Sequence, residues 1–171
     1  MIRQRKLKRL INYNPETGLV NSVDGFPSTT VWDQASYLLG MISAYKIGII
    51  DEALFDKRMS VALKTLAILP LFFEKLPNKV YDTRSLKMTT YGNELAATGI
   101  GWSALDIARM TVPLNILLSD LPKHAVVAGN VLTNWDFGAM VEKGVLMGAR
   151  LHSETGLPEK IQEGRSEEHT S

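Results

Sequence analysis

Two Trp-Asp pairs, Trp32-Asp33 and Trp135-Asp136, carry the chemistry in this chain that is easiest to name. An indole stacks on the apolar face of a pyranose ring, and a neighbouring carboxylate binds its hydroxyls. Trp102 lies four residues before Asp106, Tyr81-Asp82 is followed by Arg84, and Asp24 lies in the first long loop. Aromatic rings mixed with carboxylates and an Arg suit sugars. Two carboxylates are also what glycoside hydrolysis requires, one to protonate the leaving oxygen and one to activate water or attack, roughly 5–9.5 Å apart according to stereochemistry. Asp33 and Asp106 are the candidate pair. Asp24, Trp32, Tyr81, Asp82, Arg84, Trp102, Trp135 and Asp136 are candidate sugar contacts.

Each of these residues also has a plainer reading. Asp33 would favour the positive end of a helix dipole, and Trp32 would be core. Asp106 and Arg109 are spaced for an i,i+3 ion pair. Trp102 would staple a helix start, and Asp82-Thr83 would be a turn with Arg84 as its partner. Glu94 reads as well as surface as site, and His124 opens a helix among polar neighbours, which predicts exposure. No His/Asp/Glu spacing suggests a metal site, no Gly-rich phosphate loop occurs and no nucleophile elbow is present, so neither metal nor cofactor is expected.

The elements that must position these residues are helical. Apolar periodicity and capping residues predict helices over about 2–12, from after Ser28-Thr29 to Ile47, from Asp51 to Leu69, from Trp102 to Leu118, and from Pro122 to Asn134. Pro113 should kink the fourth or loosen one turn. Short links join helices two and three, and four and five, which makes them antiparallel neighbours. The remaining connections, 13–28, 70–101 and 135 onward, are long. Alternating short and long links place every long loop at one end, and long loops in compact domains usually do something. Hairpins are expected from 79–83 with 87–91, and from 144–151 with 157–162. The string Asn14-Pro15-Glu16-Thr17-Gly18-Leu19 is echoed by His152-Ser153-Glu154-Thr155-Gly156-Leu157, a turn that suits positive φ at Gly.

Composition sets the outer bounds. The 171 residues are 45% hydrophobic and 22% charged with net charge +1, which gives no argument for nucleic acid or a membrane surface. The basic run Arg3, Arg5, Lys6, Lys8 and Arg9 has helical apolar spacing and reads as a solvated face. Cysteine is absent, so disulfides and thiolate metal sites are excluded. No apolar run approaches the roughly 20 residues that span a bilayer. Residues 165–171, Arg-Ser-Glu-Glu-His-Thr-Ser, match the translation of a common sequencing adapter. They are expected to be a non-native tail on a domain of residues 1–164, and His169 is therefore discounted as a ligand.

Several strings together resemble the bacterial domain-of-unknown-function family 3131. They are residues 14–25 with 27–33, Leu76–Arg84, Tyr91-Gly92-Asn93, Gly99–Asp106 and Gln162–Arg165. On those motifs sit Asp24, Trp32, Asp33, Tyr81, Asp82, Arg84, Ser103 and Asp106, and the resemblance adds Ser103 to the candidate sugar contacts. The resemblance implies a mainly α, glucoamylase-like (α/α)6 toroid with small hairpins in its long loops, of which this chain would be a partial ring. It further implies a glycoside hydrolase or transglycosylase acting on a bacterial glucan in the intact parent, with this piece inactive alone. The expected setting of the parent is the periplasm or cell envelope. The competing readings are a non-catalytic polysaccharide-binding module and a structural envelope scaffold.

Overall fold

The computed structural model describes residues 12–162. The helix expected over 2–12, the basic run within it and the tail at 165–171 lie outside the described residues. Four α-helices form the body: α1 (Val31–Lys46), α2 (Glu52–Ile68), α3 (Ala104–Asp120) and α4 (Pro122–Thr133). Their boundaries fall within two residues of those read from periodicity. α1 begins at Thr30, whose hydroxyl accepts from the Asp33 amide at 3.1 Å, and α3 begins at Ser103, which accepts from the Asp106 amide at 3.2 Å. Asp51 caps α2 through the Leu54 amide, and Pro122 opens α4, where a missing N–H costs nothing. Pro113 lies buried inside α3 without ending it.

Each helix buries one stripe. Val31, Ala35, Leu38 and Ile42 of α1 face Ile107, Met110, Leu114 and Leu117 of α3, while Phe55, Met59, Leu63 and Leu66 of α2 meet Ala128 and Val131 of α4. Each full burial of such a large apolar side chain contributes about 1.5–3 kcal/mol before entropy is counted. Side-chain bonds fix the directions. Lys46 pairs with Asp120 at 2.6 Å, joining the C-terminal ends of α1 and α3. Asp56 pairs with Lys123 and His124, joining the starts of α2 and α4. Asn134 Nδ2 donates to the Ala67 carbonyl at 3.2 Å, joining their far ends. All the long connections therefore emerge at one end, as the alternation of link lengths requires.

His124 corrects the expectation of exposure. Only 3% of it is accessible, its ring meets Phe55 edge-on at 5.4 Å, and Nε2 lies 2.8 Å from Asp56. A polar flank at a helix start says nothing about which way the third residue turns.

Among the described residues the long connections hold eight short strands. β1 (Ser28–Thr30) pairs antiparallel with β4 (Val80–Asp82), setting Thr29 opposite Tyr81. Ser28 and Thr29 are thus strand residues, and Thr30 is the cap. The hairpin expected of 79–83 and 87–91 is reduced to one bridge, Tyr81 to Met88, with the Asp82 amide donating to the Lys87 carbonyl at 3.0 Å and the Thr89 amide to the Val80 carbonyl at 3.1 Å, on the edge of β4 that β1 leaves open. β2 (Leu71–Phe72) pairs with β3 (Leu76–Pro77), and β5 (Val141–Glu142) with β6 (Val145–Leu146). β7 (Gly148–Leu151) pairs with β8 (Pro158–Ile161), which is the second expected hairpin. It docks through Gly101, where φ is +121° and an added Cβ would lie 1.8 Å from the Ala149 carbonyl oxygen.

The echoed string is the same turn built twice. Asn14 N–H donates to the Leu19 carbonyl at 2.8 Å and Gly18 N–H to the Asn14 carbonyl at 2.8 Å. His152 and Gly156 make the equivalent bonds to Leu157 and His152, both at 2.9 Å. Asn14 Oδ1 accepts from Glu16 and Thr17, just as His152 Nδ1 accepts from Glu154 and Thr155. The first turn is docked: Asn14 Nδ2 and Thr17 Oγ1 both donate to the Thr83 carbonyl, at 3.0 and 2.7 Å. Gly156 has open space around it.

Candidate functional site

The N-terminal turns of α1 and α3 lie side by side and carry four of the candidates, Trp32, Asp33, Ser103 and Asp106. Trp32 is 43% exposed, and the Arg109 guanidinium stacks over its ring at 4.0 Å. Arg109 is itself steered by Ser36 of α1, whose Oγ accepts from Nε at 3.2 Å and from Nη2 at 3.1 Å. A guanidinium over an indole contributes about 0.5–1 kcal/mol at such a surface. Here it also ties the two helices together.

Asp33 and Asp106 occupy the same position, third in their helices, and each exchanges hydrogen bonds with the hydroxyl of its own cap residue. Asp33 Oδ2 accepts from the Thr30 hydroxyl at 2.6 Å, from the Thr30 amide at 3.3 Å and from the Ser22 hydroxyl. Asp106 Oδ1 accepts from the Ser103 hydroxyl at 3.0 Å. Capping of this kind suits a carboxylate at the positive helix end. Both side chains are only partly covered.

The other candidates are placed elsewhere. Asp82, on β4 and 7% exposed, is enclosed by its own loop. It accepts from the Arg84 amide at 3.0 Å, the Ser85 amide at 2.7 Å, Arg84 Nη2 at 3.1 Å and Asn93 Nδ2 at 2.9 Å. Burial alone would raise its pKa. The bonds from Asn93, Ser85 and Arg84 overcome that and hold the carboxyl well below the usual range. This is a satisfied structural carboxylate that organises residues 82–93. Tyr81, 1% exposed, donates its hydroxyl to the Pro70 carbonyl at 2.8 Å and accepts from the Asn78 amide at 2.7 Å. Trp102 and Trp135 are buried, Trp102 with Nε1 donating to the Met147 carbonyl at 3.0 Å. None of these three rings offers a face for stacking. Asp136 caps the short 3-10 turn Phe137–Met140 and pairs with Lys75 at 3.0 Å; hydrogen bonding to Lys75 keeps its pKa low. Asp24 is exposed in the Val23–Phe26 turn. Trp32, Asp33, Ser103 and Asp106 therefore share one surface, whereas Asp82 with Arg84 and Asp136 with Trp135 form separate clusters.

Arg109 is the residue of this surface that sequence reasoning assigned only a structural part, as an ion-pair partner of Asp106. Its position one turn beyond Asp106 was the available signal. No group of three or more His, Cys, Asp or Glu among the described residues is arranged to hold a metal ion. No described helix is long and apolar enough to cross a membrane.

The model of a protein family of unknown function, DUF3131, matches residues 10–170. The chain belongs to this family. The match takes in all four helices and both copies of the turn, so the Trp32 surface is part of the family's domain and not an appendage to it. No curated protein and no solved structure matches the chain.

Proposed function

We propose that this domain engages an oligosaccharide on the surface formed by Trp32, Arg109, Asp33 and Asp106. In this reading it is part of a glucoamylase-like (α/α)6 toroid, and its intact form hydrolyses or transfers glycosyl units of a bacterial glucan. The observation that supports it is the half-exposed indole, held by a stacked guanidinium at two neighbouring helix starts that each carry a partly covered carboxylate. An indole fixed in this way loses little freedom on meeting a sugar ring, and the Asp and Arg groups are hydroxyl partners. Asp33 and Asp106 would be the acids of the catalytic version.

A second reading, binding without cleavage, is favoured by the capping bonds. Both carboxylates already serve their own helix starts, where their oxygens accept from the cap residues. Calorimetric titration of the protein with α- and β-glucan oligosaccharides, with products followed by mass spectrometry, separates the two. Binding with shorter or rearranged products, abolished in Asp33→Asn or Asp106→Asn, supports the enzyme. Binding without products, lost in Trp32→Ala, supports the module. Absence of binding to any glucan would sink both.

A further inference from the structure

A cleft of about 280 Å³ lies between the first loop and α2, lined by Tyr13, Pro15, Leu54, Lys57 and Arg58. It shares no residue with the Trp32 surface. Its size is near the lower end of ligand pockets, which run from roughly 300 to 1,000 Å³. One wall is apolar and the other carries two cations. Among the described residues neither Lys57 nor Arg58 has a carboxylate partner, because the acids nearest them on α2 turn the other way. Glu52 and Asp56 both pair with Lys123 of α4, and Asp56 also with His124.

Arg58 is positioned by stacking, its guanidinium carbon 4.3 Å from the centre of the Tyr13 ring. Stacking holds the plane of the fork and leaves its N–H edge for hydrogen bonds. Tyr37 of α1 packs on Tyr13 with ring centres 6.0 Å apart, and its buried hydroxyl has no hydrogen-bond partner of good geometry. Burial pushes the Tyr37 pKa up, against the charge and the close approach of Arg58 beside it. Two cations without a carboxylate partner, one of them fixed in place by stacking, are the arrangement that a bound anion completes.

We propose that this cleft binds a small organic oxyanion, a sugar carboxylate or a phosphate monoester, gripped by Arg58 and Lys57 with its carbon skeleton against Leu54, Pro15 and Tyr13. A planar guanidinium matches either oxyanion with two parallel N–H donors, and the ammonium of Lys57 adds charge without directional demand.

The test is calorimetric titration of the full chain with glucuronate, glucose 6-phosphate and neutral glucose, at a constant ionic strength of about 0.15 M so that screening is equal throughout. Saturable binding of glucuronate or of glucose 6-phosphate, with none of glucose, is expected, and which anion binds tells the carboxylate source from the phosphate source. Arg58→Gln should weaken that binding about tenfold or more, as loss of a charge-assisted hydrogen bond does. Lys57→Gln, at an exposed position that leaves the core untouched, should weaken it by a smaller factor of about three to ten. No saturable binding of either anion up to about 20 mM overturns the proposal, as does equal binding of glucose or wild-type affinity in both variants.

Discussion

Gly18 and Gly156 stand at the same place in the duplicated turn, with φ of +72° and +64°, yet their surroundings differ completely. An added Cβ at Gly18 would lie 2.5 Å from the backbone nitrogen of Ala62, whereas at Gly156 it would meet nothing within 4 Å. Gly156→Ala should therefore cost only the left-handed backbone penalty, about 1–2 kcal/mol. Gly18→Ala adds an overlap with helix backbone that cannot move aside, and should cost about 2–5 kcal/mol in all. Urea midpoints of the two variants check the difference. Asp82 gives a second expectation at this scale. Replacing it by Asn removes a nearly buried acceptor of four bonds and should cost about 2–4 kcal/mol at neutral pH. The sign with pH follows from its depressed folded pKa. The contribution is fully present above the unfolded carboxyl value and is lost as pH falls through the lower folded value, beginning below about pH 5. The stability gap between wild type and Asp82→Asn should thus narrow between pH 7 and pH 3.

Among the elements, the β7–β8 hairpin hangs on a close approach. Gly101 allows the backbone to pass against Ala149, whose amide donates to the Trp102 carbonyl at 2.9 Å. Gly101→Ala should lift the hairpin while the four helices stay folded, so amide exchange should accelerate over 147–161 and little elsewhere. This is also the scale at which the sequence is most and least legible. The four helices were readable because each carries both a 3.6-residue apolar stripe and a cap or a Pro at its start, as Thr30, Asp51 and Pro122 show. The pairing of β1 with β4 was not, because three residues such as Ser28-Thr29-Thr30 have no periodicity to detect and look the same as a cap. The buried rings of Tyr81, Trp102 and Trp135 were misjudged for a related reason. Position at the loop end locates a residue along the bundle axis but does not tell its inside from its outside. Trp32 and Trp102 both stand at helix starts, yet Trp32 is half exposed while Trp102 is buried against Phe72 and Met147.

For the molecule as a whole, the directions of the helices have an electrical consequence. α1 and α3 present their N-terminal ends at the loop end, and α2 and α4 their C-terminal ends. Among the described residues the four macrodipoles, arranged two against two, largely cancel, and Asp33 and Asp106 offset the positive half locally. With a formal charge of only +1, the protein has little net charge to draw a ligand from a distance. A ligand bound for the Trp32 surface is then found by random encounter, without steering. Its association rate constant should sit near the unsteered value of about 10⁵–10⁶ M⁻¹s⁻¹ and stay flat as salt is raised, which stopped-flow tryptophan fluorescence can read directly.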